Sequence, residues 1–287
     1  MKKLLILAIL LCTPCFAAEG INGETTDTAM KKAPQVNVIK GKYIDISYND
    51  GIYHIVLSGE KIKKKIEFYS NASLITNSEI HKKSGARLTV NTGYFDPQNG
   101  KTISYIVTGN VTVEDPHFNE SLYKNPVLRK NLDKIYNRTE FRILQCDDTN
   151  KMKYEIVPHN APVEFGCSIK TSAQGGPLIL PELRLEEEFF VVKKDGEVIR
   201  ESCSVLHKVA RTIIGLKDGN IHILIITDDH PMDLYEVQDY CKKLGLERAM
   251  AFDGGSSTSM NYLDKIEVIS TKGDGAGRSL KSFMLVY

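Results

Sequence analysis

The stretch that decides the fold reads Ile221-His-Ile-Leu-Ile-Ile-Thr-Asp-Asp-His-Pro-Met-Asp-Leu-Tyr-Glu-Val-Gln-Asp-Tyr-Cys-Lys-Lys-Leu-Gly-Leu-Glu-Arg-Ala-Met-Ala-Phe-Asp-Gly-Gly-Ser-Ser257. Ile221 to Thr227 is an apolar run of strand length. From about Met232 the spacing changes: Leu234, Val237, Cys241 and Leu244 share one helical face, and Gly245 ends the helix. Arg248 to Phe252 is a second apolar strand. It delivers Asp253 into Gly254-Gly255-Ser256-Ser257, where two glycines free successive backbone N–H groups to point at an anion or at sugar oxygens. A carboxylate at the end of a buried strand, beside such a loop, is a ligand-facing group.

Upstream of this unit the pattern is mostly strand. Tyr53 to Leu57, Ile66 to Tyr69, Ala86 to Val90, Leu178 to Leu180 and Phe189 to Val192 are short apolar or alternating runs, and Ser282 to Tyr287 closes the chain with another. The lysines of Lys61 to Lys65 suit a solvated strand edge. Pro126 opens a short helix that runs to Tyr136, with Val127, Leu128, Leu132 and Ile135 at near-helical spacing, and Asp147 to Lys153 reads as a surface loop. No repeat of 20 to 50 residues is present.

At the N-terminus, Lys2 and Lys3 precede an apolar run from Leu4 to Leu11, with Ala17 and Ala18 near a cleavage point, so residues 1–18 read as a signal peptide. Residues 19–34 are polar and aperiodic, a tether, and residues 35–287 form the expected domain. The apolar run is too short to span a bilayer, so no stable membrane insertion is expected after cleavage. With 37 basic and 36 acidic residues the chain is nearly neutral, which argues against nucleic acid as a partner. After cleavage, Cys146, Cys167, Cys203 and Cys241 remain. They pair in any of three ways, and their spacing carries no zinc signature.

Two further loops combine glycine with polar residues after a strand. In Asn91-Thr-Gly-Tyr-Phe-Asp96, Gly93 permits close backbone approach and Asn91 offers a donor and an acceptor. In Ala210-Arg-Thr212, Arg211 sits among apolar neighbours, where its planar fork suits either a phosphate or a structural ion pair. Asp228-Asp229-His230 admits a cation site but fits an acidic helix start better, because Pro231 and the helix follow. The glycine loop is neither a Gly-x-Ser-x-Gly elbow, nor a Walker loop, nor a dinucleotide fingerprint.

These elements, in this order, resemble the phosphodiester glycosidases. The resemblance is carried by Asn91-Thr-Gly-Tyr-Phe-Asp96, Gln174-Gly-Gly-Pro-Leu178, Ala210-Arg-Thr212 with Gly215, Asp253-Gly-Gly-Ser-Ser257, and Gly277-Arg278 before the last strand. Thr92 stands where that family usually has glycine, and the last loop has one glycine fewer. The resemblance implies an α+β fold: a single domain with a mixed, mostly antiparallel sheet and a few packed helices. It implies an exported hydrolase that cleaves a sugar-1-phosphodiester at the anomeric carbon–oxygen bond, acting on envelope or extracellular glycans. In that scheme Asp253 acts at the sugar as nucleophile or base, and Arg211 clamps the phosphate. Asn91, Gly93, Gln174, Thr212, Gly254, Gly255 and Ser256 hold the substrate, with neither metal nor cofactor. The competing expectations are a phosphodiesterase with a metal at Asp228, Asp229 and His230, and a carbohydrate-binding envelope protein without turnover.

Overall fold

Runs of β-branched and aromatic residues become antiparallel sheets in the computed structural model, which describes residues 38–146, 151–270 and 277–287. The expected leader and tether, and Asp147 to Asn150 of the expected loop, lie outside the described residues. A six-stranded sheet has the order Ile44–Asn49, Ile52–Leu57, Asn220–Ile226, Arg211–Lys217, Arg248–Ala251, Leu178–Leu180. A five-stranded sheet runs Ile266–Ile269, Ser259–Tyr262, Leu88–Asn91, Leu280–Val286, Ile66–Ile75. A second one runs Val111–Glu114, Ile106–Thr108, Cys167–Gln174, Thr139–Cys146, Lys151–Pro158. Val191–Lys194 and Glu197–Glu201 form a separate hairpin. Every strand pairing among the described residues is antiparallel. The fold is α+β.

Ile221 to Ile226 lack a polar face because both sides of their sheet are covered. Ile55, Ile221, Ile223 and Ile225 face a core shared with Leu88, Val90 and Met284 of one five-stranded sheet and Phe141, Ile143 and Ala173 of the other. The opposite face, with Ile213, Leu224 and Ile226, packs on Leu234, Val237 and Cys241 of the helix Leu234–Lys243. Asp233 starts that helix: its carboxylate accepts from the N–H groups of Tyr235 and Glu236, and Glu236 reaches back to the Asp233 N–H. The strands on either side of the helix both pair with Arg211–Lys217, so the crossover brings Thr212 and Phe252 side by side.

Three expectations change. The lysines of Lys61 to Lys65, expected on a strand edge, fall on the short helix Glu60–Lys63 and the turn that follows it. The helix expected over Pro126 to Tyr136 is two short ones, Pro126–Arg129 and Leu132–Tyr136. The Asn131 side chain donates to the Val127 carbonyl at 2.9 Å, competing with the backbone bond that would continue the helix. The loop expected up to Lys153 ends sooner, since Lys151–Pro158 is a strand. Of the three possible disulfide pairings, Cys146–Cys167 forms, joining residues directly opposed on neighbouring strands. Cys203 and Cys241 are free.

Candidate active site

Three strand ends converge on Asp253. Its N–H donates to the Thr92 carbonyl at 2.9 Å, and its own carbonyl accepts from Asn91 Nδ2 at 2.6 Å. On either side, the Phe252 N–H donates to the Thr212 carbonyl at 2.8 Å and the Gly255 N–H to the Ala210 carbonyl at 2.7 Å. The Asn91 side chain makes three bonds, because its Oδ1 also accepts from Thr212 Oγ1 at 2.7 Å and from the Ser259 N–H at 3.0 Å. Gly93 is required by packing: a Cβ there would lie 2.7 Å from Ser104 Cβ. Gly255 has φ of 58°, the left-handed region that favours glycine. Phe252 meets Phe68 of the core edge-on, with 6.2 Å between ring centres. The main chain that carries Asp253 is therefore fixed from all sides.

The Asp253 side chain faces a cavity of about 340 Å³. Its lining combines the loop Asp253 to Ser256 with Tyr94, Phe95, Arg138, Arg200, Cys203, Ser204 and Arg278, and with an apolar wall of Ile103, Leu122, Leu128 and Ile135. Among the described residues Asp253 is the only carboxylate in that lining, and no histidine belongs to it. Burial pushes the carboxyl up to about 6, against the opposing pull of the Ser257 hydroxyl, the Arg278 charge and the Gly254 N–H. Arg278 Nη1 donates to Ser256 Oγ at 3.0 Å, and its guanidinium lies 5.0 Å from the centre of the Phe95 ring. Arg138 packs over Phe190 at 3.9 Å and donates through Nε to the Glu188 carbonyl, while Arg200 donates to the Phe189 carbonyl and covers that ring at 4.3 Å. The cavity thus sets one carboxyl opposite cationic, stacked arginines.

The structure separates the expected site residues into two groups. Asp253, Gly254, Gly255 and Ser256 line the cavity, whereas Asn91, Gly93, Gln174, Thr212 and Arg211 do not. Asn91 and Thr212 bond each other and the loop, as above. Gln174 is fully buried, its amide donating to the carbonyls of Tyr136 and Arg138 and accepting from the Tyr105 N–H. Arg211 is 3% exposed; its Nε donates to the Met232 carbonyl at 2.9 Å and its Nη2 to the carbonyls of Ser204 and His207 at 2.7 and 2.6 Å. With Nε and Nη2 engaged on three carbonyls, the Arg211 guanidinium has Nη1 left rather than the planar fork expected to clamp a phosphate. It holds in place the turn at Cys203 and Ser204, both left-handed at φ of 58° and 49°, which lines the cavity.

The other charged cluster does not converge. Asp228 accepts from Ser270 Oγ at 2.8 Å, His230 Nδ1 lies 3.1 Å from Asp50, and none of Asp228, Asp229 and His230 lines the Asp253 cavity. Among the described residues no three His, Cys, Asp or Glu side chains group to hold a metal ion. Arg138, Arg200, Tyr94 and Cys203 were not legible as site residues. Arg138 has no signal like that of Arg211, because Glu140 and Arg142 give the strand it precedes the look of surface, whereas Arg278 belongs to the Gly277-Arg278 motif before the last strand.

A model of the phosphodiester glycosidase family matches residues 84–287. The chain belongs to that family. Among solved structures it resembles zebrafish N-acetylglucosamine-1-phosphodiester alpha-N-acetylglucosaminidase, a catalytic domain auto-inhibited by its pro-peptide. The TM-score is 0.60 and the identity 13%, over 90% of this chain and 85% of that one. A Synechocystis protein (TM-score 0.59, 12% identity, 88% of this chain and 64% of that) and a Burkholderia pseudomallei protein (0.59, 10%, 85% and 74%) share the fold. No curated protein matches the sequence. Family and fold point to a hydrolase with phosphodiester glycosidase activity.

Proposed function

We propose that this phosphodiester glycosidase family member is an exported enzyme that hydrolyses a sugar-1-phosphodiester between the anomeric carbon and its oxygen, in envelope or extracellular glycans. The observation that carries the reading is a carboxyl, single among the described residues of the lining and pushed up to about 6, facing a cavity walled by Arg138, Arg200 and Arg278. Two carboxyl groups serve most glycosidases because a sugar alcohol must be protonated as it leaves. A phosphate monoester leaves without that help, so one carboxylate suffices. Ionised Asp253, its carboxylate held by the Gly254 N–H, attacks the anomeric carbon or takes a proton from the attacking water. Arg278, stacked on Phe95 and bonded to Ser256, carries the phosphate, with Arg200 beside it. Asn91, Thr212, Gln174 and Arg211 hold the loops. The cystine Cys146–Cys167 and the apolar leader support export.

Hydrolysis of a sugar-1-phosphodiester in oxygen-18 water tests the bond broken. Label in the sugar is expected, and label in the phosphate would overturn anomeric cleavage. Glycan affinity without turnover would identify a binding protein instead.

A further inference from the structure

A second cavity, of about 750 Å³, adjoins the Asp253 cavity. The two share Leu128 and Arg200 as common walls. Beyond Arg200 apolar residues face each other, Val127 and Leu128 of the helix Pro126–Arg129 on one side and Phe189, Val191, Val192 and Ile199 of the hairpin region on the other, with Asn125, Asn131, Lys134, Glu186 and Lys193 completing the lining. Asn125 Oδ1 accepts from the N–H groups of Val127 and Leu128, and Asn131 Nδ2 donates to the Val127 carbonyl. Val127 and Ile199 are 53% and 62% exposed, so apolar surface stands open at the rim. The charged rim is partly spent internally, since Glu186 pairs with Lys193 at 2.8 Å and its carbonyl takes a bond from Lys134. Arg200 has no carboxylate within ion-pair distance among the described residues. A cation thus stands at the junction of the two cavities.

We propose that the second cavity seats the alcohol half of the phosphodiester, and that it selects an alcohol with an alkyl body over a polyol. The inference rests on the phosphodiester glycosidase reading. In that reaction water oxygen bonds to the anomeric carbon, the carbon–oxygen bond breaks, and its electron pair stays on the phosphate oxygen. The alcohol–phosphorus bond survives, so the alcohol leaves as its phosphate monoester and must be housed throughout. With the sugar at Asp253 and the phosphate between Arg278 and Arg200, the next atoms of the substrate enter the cavity behind Arg200. Its apolar walls gain from methylene groups, and its polar groups, engaged with one another and with main chain, leave few partners for the hydroxyls of a polyol.

The experiment measures kcat/KM for one sugar-1-phosphate esterified with methyl, butyl, hexyl, octyl or glyceryl alcohol, all below micelle-forming concentrations. Rates are expected to rise roughly twofold per methylene, below the about fourfold that complete burial supplies, with the glyceryl ester no better than methyl. Ile199→Asn and Val127→Asn should flatten that dependence, with the octyl-to-methyl ratio falling about tenfold in the double variant, while Ile199→Val keeps it. Equal rates for methyl and octyl esters, a preference for the glyceryl ester, or a slope untouched by the double variant would overturn the inference and leave the hydrolase reading standing. Failure to cleave any ester, methyl included, would remove both.

Discussion

Asn91 and Asp253 are polar residues at adjoining strand ends, yet their surroundings give them different work. Asn91 is 2% exposed with its amide bonded to Asp253, Thr212 and Ser259, whereas the Asp253 carboxyl opens on a cavity. Its folded-state value of about 6 lies above its ordinary 3.8, so ionising it costs stability. Asp253→Asn should therefore abolish turnover while raising Tm at pH 7, by up to about 2 kcal/mol of stability. Unchanged turnover in that variant would sink the catalytic assignment. The two arginines should separate in the same way. Arg278→Lys keeps the charge but loses the fork, so kcat/KM should fall roughly tenfold or more with Tm little changed. Arg211→Lys should lower stability by about 3 kcal/mol, because three buried carbonyls lose their donors. If Arg211→Lys were fully stable and Arg278→Lys fully active, the reassignment of the phosphate contact would fail.

Elements were legible where local pattern and tertiary role agree. Leu234–Lys243 has one apolar stripe and a capping box, and Arg248–Ala251 an uninterrupted apolar run; both stand where periodicity puts them. Thr139–Cys146 was not legible, because Glu140 and Arg142 sit inside it and look like surface residues. They are buried as a pair at 3.0 Å, and a distant histidine, His159, completes the carboxylate's partners. The candidate site divides the same way. A local motif finds Asp253 and its glycines, while the cavity walls from Arg138 and Arg200 depend on contacts far apart in sequence. The cystine is another long-range feature that spacing left open. It closes a 21-residue separation, so Cys146→Ser with Cys167→Ser should cost about 3 kcal/mol in denaturant unfolding of the oxidised protein. A midpoint identical to wild type would show that the paired strands hold themselves.

Across the whole molecule two titrations oppose each other. Asp253 destabilises the fold as pH rises from its ordinary 3.8 through about 6, since the buried carboxyl resists ionising. The pair His54 and His222, 2.8 Å apart on neighbouring strands of the six-stranded sheet, acts in the other direction. Burial, the partner imidazole and Lys217 push His222 down to about 4, and burial with Lys217 lowers His54. Their contribution is present above the ordinary 6.5 and is lost as pH falls toward 4. In the window between about 4 and 6, acidification thus relieves one strain and imposes another. Each variant isolates its own group when the comparison is the difference in Tm from wild type at each pH. The Asp253→Asn advantage should be largest above pH 6 and vanish toward pH 4. His222→Gln should match wild type near pH 7 or lie slightly below it, then gain on it steadily as pH falls through 6.5. Turnover should still decline below about pH 6 in His222→Gln, because that limb belongs to Asp253. A Tm difference for His222→Gln that stays flat from pH 7 to pH 4.5 would remove the histidine pair from the pH response.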